Sequence, residues 1–196
     1  MRTMNEPFQN FYKGVKMHKV AESDKNPLRP ILQNIYFKNG FAYATDAHCL
    51  VKNKISEIST LPDSEIEKLD GKLLNAKKFE QMLKFEMISV SDSGVEAINE
   101  DGTTMFFPFY NEGGNFPNCD SAIPDDSTKQ EIPDICIDYK LLAKVVECLP
   151  YEEGGYPSPY KQRAHLHFYG KGRAALVKVE DRESVGLIMP YSFDRN

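Results

Sequence analysis

The sequence predicts an α+β protein in which a helix followed by three short strands occurs twice. Three observations lead to this prediction: an Asn-Gly turn between two strand-like segments, two amphipathic helical segments, and three strand-like segments after each of these. With 196 residues, of which 41% are hydrophobic, the chain can form one large domain or two small ones with a substantial core. The two units share a pattern of elements more than residue identities, as in a divergent internal repeat.

The first part of the chain predicts an edge strand and then a bend. Residues 14–23 alternate apolar and polar side chains imperfectly, which favours a strand at the edge of a sheet. Pro30 disfavours a helix in the next segment, so residues 31–37 are expected to bend into a second strand.

A β-hairpin is predicted around Asn39 and Gly40. These residues tolerate the positive φ angles of a type I′ turn. After the turn, Phe41 and Tyr43 alternate with alanines, which is typical of the second strand of a hairpin. The polar residues 56–71 are then predicted to form a connection.

The first principal helix is predicted within residues 73–85. Asn75 can cap its start, and its apolar residues recur at helical spacing. These apolar residues are Phe79, Met82 and Leu83. Three short strands are expected in residues 87–110, with turns at Asp-Ser-Gly and Asp-Gly sequences.

The second principal helix is predicted within residues 134–149, after a short strand. Its apolar face consists of Leu141, Leu142, Val145, Val146 and Leu149. Residues 163–191 then contain three more strand-like segments, so the order of elements repeats that of the first unit.

Composition argues against several classes of protein. The net charge is −5, whereas a protein held on nucleic acid by phosphate neutralisation alone is usually basic. A local basic face can still carry such a contact. The four cysteines are widely spaced and form no CxxC motif, which argues against zinc-ribbon and redox sites. Neither a signal peptide nor a membrane span is evident, so a cytoplasmic protein with reduced thiols is expected.

Two pairs of polar residues suggest chemistry. Asp46 and His48 are two positions apart, so on a strand they share a face, as a general base and its orienter would. His165 and His167 have the same spacing and resemble half of a metal site. If both pairs met in one cleft, they would define a small metal-dependent or Asp/His hydrolase. The alternatives are a turn capped by Asp46 with a surface histidine, and ordinary surface histidines on a sheet.

Lysines lie on both predicted helices and give each a basic face. Such a face is either solvated or turned toward a nucleic-acid backbone. The lysines are Lys77, Lys78 and Lys84 on the first helix and Lys140 and Lys144 on the second.

Three segments resemble, in the same order, segments of the bacterial DNA polymerase III beta subunit, the DNA sliding clamp. FAYATDAHCLV is similar to the ATDGHRL segment of the clamps, and GGNFPNCDSAIP is similar to their G-x-FPDY-x-x-x-(L/I)P segment. DRESVGLIMPYSF resembles their final strand, which ends in Met-Pro-Met. As a pattern of elements, the resemblance covers residues 27–196.

The resemblance implies a DNA-clamp-like fold of repeated βαβββ half-units, with curved antiparallel sheets outside a ring and helices lining its hole. Residues 1–125 resemble one clamp domain whose first half lacks its helix, and residues 126–196 resemble a half domain with the C-terminal strand. A clamp chain has three domains, so this would be a shortened, divergent member. Several copies would be needed to close a ring around double-stranded DNA, with the five lysines facing the DNA.

The resemblance also implies a peptide site and a non-enzymatic function without a cofactor or metal. In clamps, a hydrophobic pocket accepts short motifs of polymerases and clamp loaders. The matching positions are Thr45, Ala47, His48, Cys49, Leu50, Pro124, Leu187, Ile188, Met189, Pro190 and Tyr191. Cys49 replaces the family's arginine and Tyr191 its last methionine, so the size and polarity of the pocket should differ.

Under this interpretation Asp46 holds the turn. The chain would serve DNA replication or repair as an accessory protein, or would modulate a clamp by binding the peptide motifs of polymerase-type partners. An alternative is an assembly module that keeps the clamp fold without a DNA function.

Overall fold

A computed structural model of the chain describes residues 8–23, 28–128, 136–150, 164–170, 173–179 and 182–190. Within these residues, ten strands form two antiparallel sheets, accompanied by four helices. The strands are β1 (Asn34–Lys38), β2 (Phe41–Thr45), β3 (Cys49–Lys54), β4 (Leu73–Asn75), β5 (Met87–Val90), β6 (Gly94–Ile98), β7 (Thr104–Pro108), β8 (Ala164–His167), β9 (Ala175–Val179) and β10 (Val185–Ile188). The helices are α1 (Ile55–Ile58), α2 (Asp63–Lys68), α3 (Ala76–Met82) and α4 (Tyr139–Val146). The predicted α+β class, with α3 and α4 as the two longest of these helices, is confirmed.

The predicted hairpin is confirmed. Asn39 and Gly40 have φ angles of +50° and +77°, so both central residues adopt the positive values of a type I′ turn. The flanking residues Lys38 and Phe41 pair directly, which fixes the register of β1 against β2.

The larger sheet has the strand order β4-β1-β2-β3-β10-β9-β8. Its two parts meet where β3 pairs with β10, with Leu50 opposite Leu187 and Cys49 opposite Ile188. Strands from both halves of the chain therefore form one sheet, and the division at residue 125 stays a prediction. The smaller sheet, β5-β6-β7, contains the three strands predicted after the first helix.

Both principal helices begin at a polar capping residue. The Asn75 side chain accepts a hydrogen bond from the backbone N–H of Lys77 at 3.0 Å, at the start of α3. Asp138 accepts one from the N–H of Lys140 at 2.8 Å, at the start of α4. Each cap satisfies a backbone donor that has no partner within its own helix. The cap at Asn75 confirms the prediction from the sequence.

Two predictions for the N-terminal part are wrong. Residues 14–23 are not an edge strand: a 3₁₀ turn at Met17–Lys19 brings Val15, Met17 and Val20 into the core, which explains their imperfect alternation. Residues 56–71 are not only a connection, because they contain most of α1 and all of α2. At four and six residues, these helices are too short to show a helical period in the sequence.

The larger sheet has a different apolar cluster on each face. Alternate residues of a strand point to opposite faces. Cys49 and Ile188 accordingly belong to the main core, together with Val145 of α4, whereas Leu50 and Leu187 belong to a second cluster on the other face. No helix in the described part of the chain is long and apolar enough to cross a membrane.

Candidate functional site

The turn between β2 and β3 is built from side-chain hydrogen bonds to its own backbone. The Thr45 hydroxyl donates to the carbonyl of Cys49 at 2.7 Å and accepts from the N–H of Ala47 at 3.0 Å. Asp46 Oδ1 accepts from the N–H groups of His48 and Cys49 at 3.0 and 2.9 Å. Asp46 therefore caps the turn, as the resemblance implied.

The turn does not arrange Asp46 and His48 as a catalytic pair. The contact between them is made by the backbone N–H of His48, while the His48 side chain is exposed. Ala47 has φ +70°, in the left-handed region, where an alanine side chain costs about 1–2 kcal/mol relative to the right-handed region. The corresponding residue in the clamp motif is glycine.

An ion pair joins the turn to helix α4. Lys144 Nζ lies 2.9 Å from Asp46 Oδ2, with side-chain exposures of 34% and 14%. Burial raises the pKa of Asp46, but hydrogen bonds from Cys49, Lys144 and His48 outweigh it and leave the pKa below its usual range. Burial lowers the pKa of Lys144, and its hydrogen bond and charge interaction with Asp46 raise it above the ordinary value. Both groups are therefore charged at neutral pH.

Cys49 lies in the main core, and its thiol is unreactive at neutral pH. Its Sγ lies 3.3 Å from Asp46 Oδ1. Burial and the Asp46 charge raise the pKa of the thiol to about 12, so it is protonated at neutral pH and a poor nucleophile.

Strand β10 lies beside the turn and forms the second wall of the site. Beyond its end, the N–H of Met189 donates to the carbonyl of His48 at 3.3 Å, and the Met189 side chain is 43% exposed. Helix α4 packs closely against the same strand at Gly186, where a Cβ atom would lie 2.0 Å from Val145 Cγ1. Helix α4 thus contacts both walls, the turn through Lys144 and the strand through Val145.

The loop that contains Cys119 and Ile123 packs on the other face of the sheet, where β3 pairs with β10. Cys119 and Ile123 pack in the cluster that contains Leu50 and Leu187. Between them, Asp120 accepts a hydrogen bond from the Tyr43 hydroxyl at 3.1 Å and pairs with Lys52 at 2.8 Å. The loop leads directly to Pro124, which is half-buried.

The structure brings together the β2–β3 turn and strand β10, and it buries five of the ten predicted pocket residues that it describes. The buried ones are Thr45, Cys49, Leu50, Leu187 and Ile188. The accessible ones, hereafter the peptide surface, are Ala47, His48, Pro124, Met189 and Pro190. Tyr191 lies outside the described residues. The pocket itself stays a prediction.

The second histidine pair lies far from the turn. His167 aligns across β9 and β10 with Leu50 of β3, three strands away. At about 4.8 Å per strand the separation is about 14 Å, too far for a shared cleft. In the part of the chain that the structure describes, no three histidine, cysteine or acidic side chains are placed to hold a metal ion. The convergence that the hydrolase alternative required for Asp46, His48, His165 and His167 is therefore not found.

Of the five lysines predicted to face DNA, three are exposed and two are half-buried. Lys77, Lys84 and Lys140 are exposed, whereas Lys78 and Lys144 are half-buried. The role of these lysines toward DNA stays a prediction.

A cleft of about 340 Å³ lies between α3, α4 and the N-terminal segment. Its lining includes Lys19, Lys77 and Lys144 as well as the carboxylates of Asp46 and Glu80. The sequence does not indicate this cleft, because elements far apart in the chain form it.

These features define a class: a two-sheet antiparallel protein of the sliding-clamp fold. Compared by sequence alone, the chain matches no protein family model and no curated protein. Compared by structure, it is similar to solved bacterial sliding clamps over 98% of its length.

Three solved clamps show the extent of this similarity. The sliding clamp of Bacillus subtilis gives a TM-score of 0.59 with 15% sequence identity, and the alignment covers 66% of that chain. The beta subunit of Streptococcus pyogenes gives 0.60 with 13% identity and 67% covered. The Helicobacter pylori beta clamp bound to a DNA ligase peptide gives 0.62 with 13% identity and 68% covered. The resemblance seen in the sequence is therefore confirmed as a shared fold, and the chain spans about two thirds of the length of these clamps.

Proposed function

We propose that this chain is a non-enzymatic, clamp-like accessory protein of DNA replication or repair that binds a short peptide motif of a polymerase-type partner. The observation that supports this most is the hydrogen bond from the Met189 N–H to the His48 carbonyl. It places an exposed methionine beside the turn that carries an exposed histidine. The Helicobacter pylori clamp of the same fold is bound to a DNA ligase peptide.

The peptide surface suits a ligand anchored by a few apolar side chains. Met189 is flexible and polarisable, so it can adapt to an apolar side chain of the peptide. The two prolines of the surface, Pro124 and Pro190, have no backbone N–H and add no donors to it. Leu50 and Leu187 are buried in one cluster with Cys119 and Ile123, so a peptide would contact the accessible residues first.

We expect Met189→Ala to weaken binding of the DNA ligase peptide about tenfold, since truncating an interface anchor costs more than about 1 kcal/mol. Fluorescence anisotropy with the labelled peptide measures this. Met105→Ala is the matched control: Met105 is 46% exposed but lies on β7, in the other sheet. Equal affinities of the wild type and Met189→Ala would contradict this site.

A second candidate function, encircling DNA in a ring of several copies, is supported by the two sheet edges. In the described residues, β7 is one of the two edge strands of the smaller sheet, and β8 is one of the two edge strands of the larger sheet. The apolar side chains Met105 and Phe106 are exposed on β7, and Leu166 is exposed on β8. An edge strand has backbone N–H and C=O groups without partners on one side, so it can pair with a strand of another chain and extend the sheet.

The two edges belong to segments of opposite charge. Residues 85–113, which include β5–β7, contain six acidic and no basic residues. Residues 161–179, which include β8 and β9, contain five basic and no acidic residues. Head-to-tail pairing of β7 with the β8 edge of a second copy would therefore be electrostatically favourable.

Light scattering tests the ring. We expect a molar mass that is a multiple of the monomer mass at low salt, and association that weakens as salt screens the two charged edges. Phe106→Lys should shift the protein to monomers, because it places a positive charge opposite the basic edge of a second copy, whereas Met189→Ala should leave the mass unchanged. A monomer under all conditions would rule out the ring and leave the peptide-binding proposal untouched.

A further inference from the structure

We propose that Lys144 is a positioning residue for the peptide surface: through Asp46 it fixes the turn that carries His48, and through His48 it fixes Met189. The proposal rests on the proposed peptide-binding function. The resemblance predicts that Lys144 faces DNA. The proposal instead gives this lysine a role at the β2–β3 turn, through its ion pair with Asp46.

The two carboxylate oxygens of Asp46 have different partners: Oδ1 contacts the turn, and Oδ2 contacts Lys144. Oδ1 accepts from the N–H groups of His48 and Cys49 and contacts the Cys49 thiol. Oδ2 is 2.9 Å from Lys144 Nζ. The lysine therefore neutralises and orients a carboxylate whose other oxygen holds the backbone of the turn. Charge-assisted hydrogen bonds of this kind are shorter and stronger than neutral ones.

The turn needs such support because its backbone is strained. Ala47 has φ +70° without being glycine. Strained backbone conformations persist only where the surroundings hold them in place. On one side of Ala47 is the Asp46 carboxylate held by Lys144, and on the other is the His48 carbonyl that accepts the Met189 N–H.

Lys144 would act at a distance from a bound peptide. Its Nζ lies against Asp46 and lines the cleft beside α3, and it is not part of the peptide surface. Val145, the next residue of α4, packs against Gly186 of the strand that leads to Met189. A loss of peptide affinity on changing Lys144 would thus report a displaced turn.

The test uses three variants of the full chain. Lys144→Met keeps the aliphatic stem and removes the charge, Lys144→Arg keeps the charge, and Lys140→Met removes an exposed charge one helical turn earlier on α4. Two readouts are measured: the affinity for the DNA ligase peptide, and amide hydrogen exchange at His48, Cys49 and Met189 without peptide.

In Lys144→Met, we expect exchange at these three amides to accelerate and peptide affinity to fall about tenfold, the equivalent of one lost charge-assisted hydrogen bond. Lys144→Arg should restore both readouts, and Lys140→Met should change neither. A merely structural role would raise exchange across the whole sheet and would not be rescued selectively by arginine.

Exchange that is unchanged at His48 and Met189 in Lys144→Met would overturn the proposal, as would peptide affinity within twofold of the wild type. If the wild type does not bind the peptide, the proposed function fails at this probe. The exchange measurement then still decides whether Lys144 positions the turn.

Discussion

Replacing Gly186 with alanine is expected to lower the free energy of unfolding by about 3 kcal/mol, because overpacking a tight core forces side chains and backbone apart. The added Cβ would lie 2.0 Å from Val145 Cγ1, far inside van der Waals contact. The Cβ of Val177 would lie 3.5 Å from the new atom, already in van der Waals contact. Urea denaturation of both proteins at neutral pH measures the difference.

A double-mutant cycle identifies the cause of this loss. Val145→Ala removes the methyl group that the new Cβ would meet, so Gly186→Ala should cost less in that background than in the wild type. The expected coupling is about 1–2 kcal/mol. A Gly186→Ala variant as stable as the wild type would mean that α4 does not pack on β10 as described.

Replacing Asp46 with alanine is expected to cost about 3 kcal/mol, because two backbone N–H groups lose their acceptor and Lys144 is left without its partner. Asp46→Asn is the matched variant: its amide oxygen can still accept from His48 and Cys49, but the charge is gone. The free energy of unfolding of Asp46→Asn should fall by about 1 kcal/mol, less than that of Asp46→Ala. Thermal and urea unfolding measure both.

The same ion pair predicts a pH dependence. The pKa of Asp46 is lowered in the folded protein, so its contribution is present above the unfolded pKa of about 3.9 and is lost as pH falls through the folded value. The pKa of Lys144 is raised, so its contribution is present below about 10.4 and is lost as pH rises through the folded value. The stability difference between the wild type and Asp46→Ala should therefore be constant near neutral pH and shrink in acid. A difference that stays constant in acid would contradict the ion-pair account.

Features set by neighbouring residues could be predicted from the sequence. The turn of the hairpin depends on Asn39 and Gly40, and the start of α3 depends on the side chain of Asn75. The turn cap by Asp46 is local as well, since its acceptor and donors lie within three residues. Three short motifs, which occur in the same order as in the clamps, predict the clamp-like fold.

Features that depend on distant parts of the chain could not be predicted. Lys144 and Asp46 are 98 positions apart, and nothing in the sequence near either one indicates the other. Leu50 was predicted as a pocket residue, but its burial depends on the loop anchored through Asp120 to Lys52. The 3₁₀ turn at Met17–Lys19 buries Met17 in the core. The spacing of Met17 and Val15 in the sequence fits a strand equally well, so it does not indicate the turn.

We expect the peptide to bind where the β2–β3 turn meets the end of β10. This is tested by adding the DNA ligase peptide to the isotopically labelled chain and following the amide resonances of the chain by NMR. The largest shifts should fall at His48 and Met189, with smaller ones at Cys49 and little change on β7. Large shifts elsewhere, with His48 and Met189 unchanged, would contradict it.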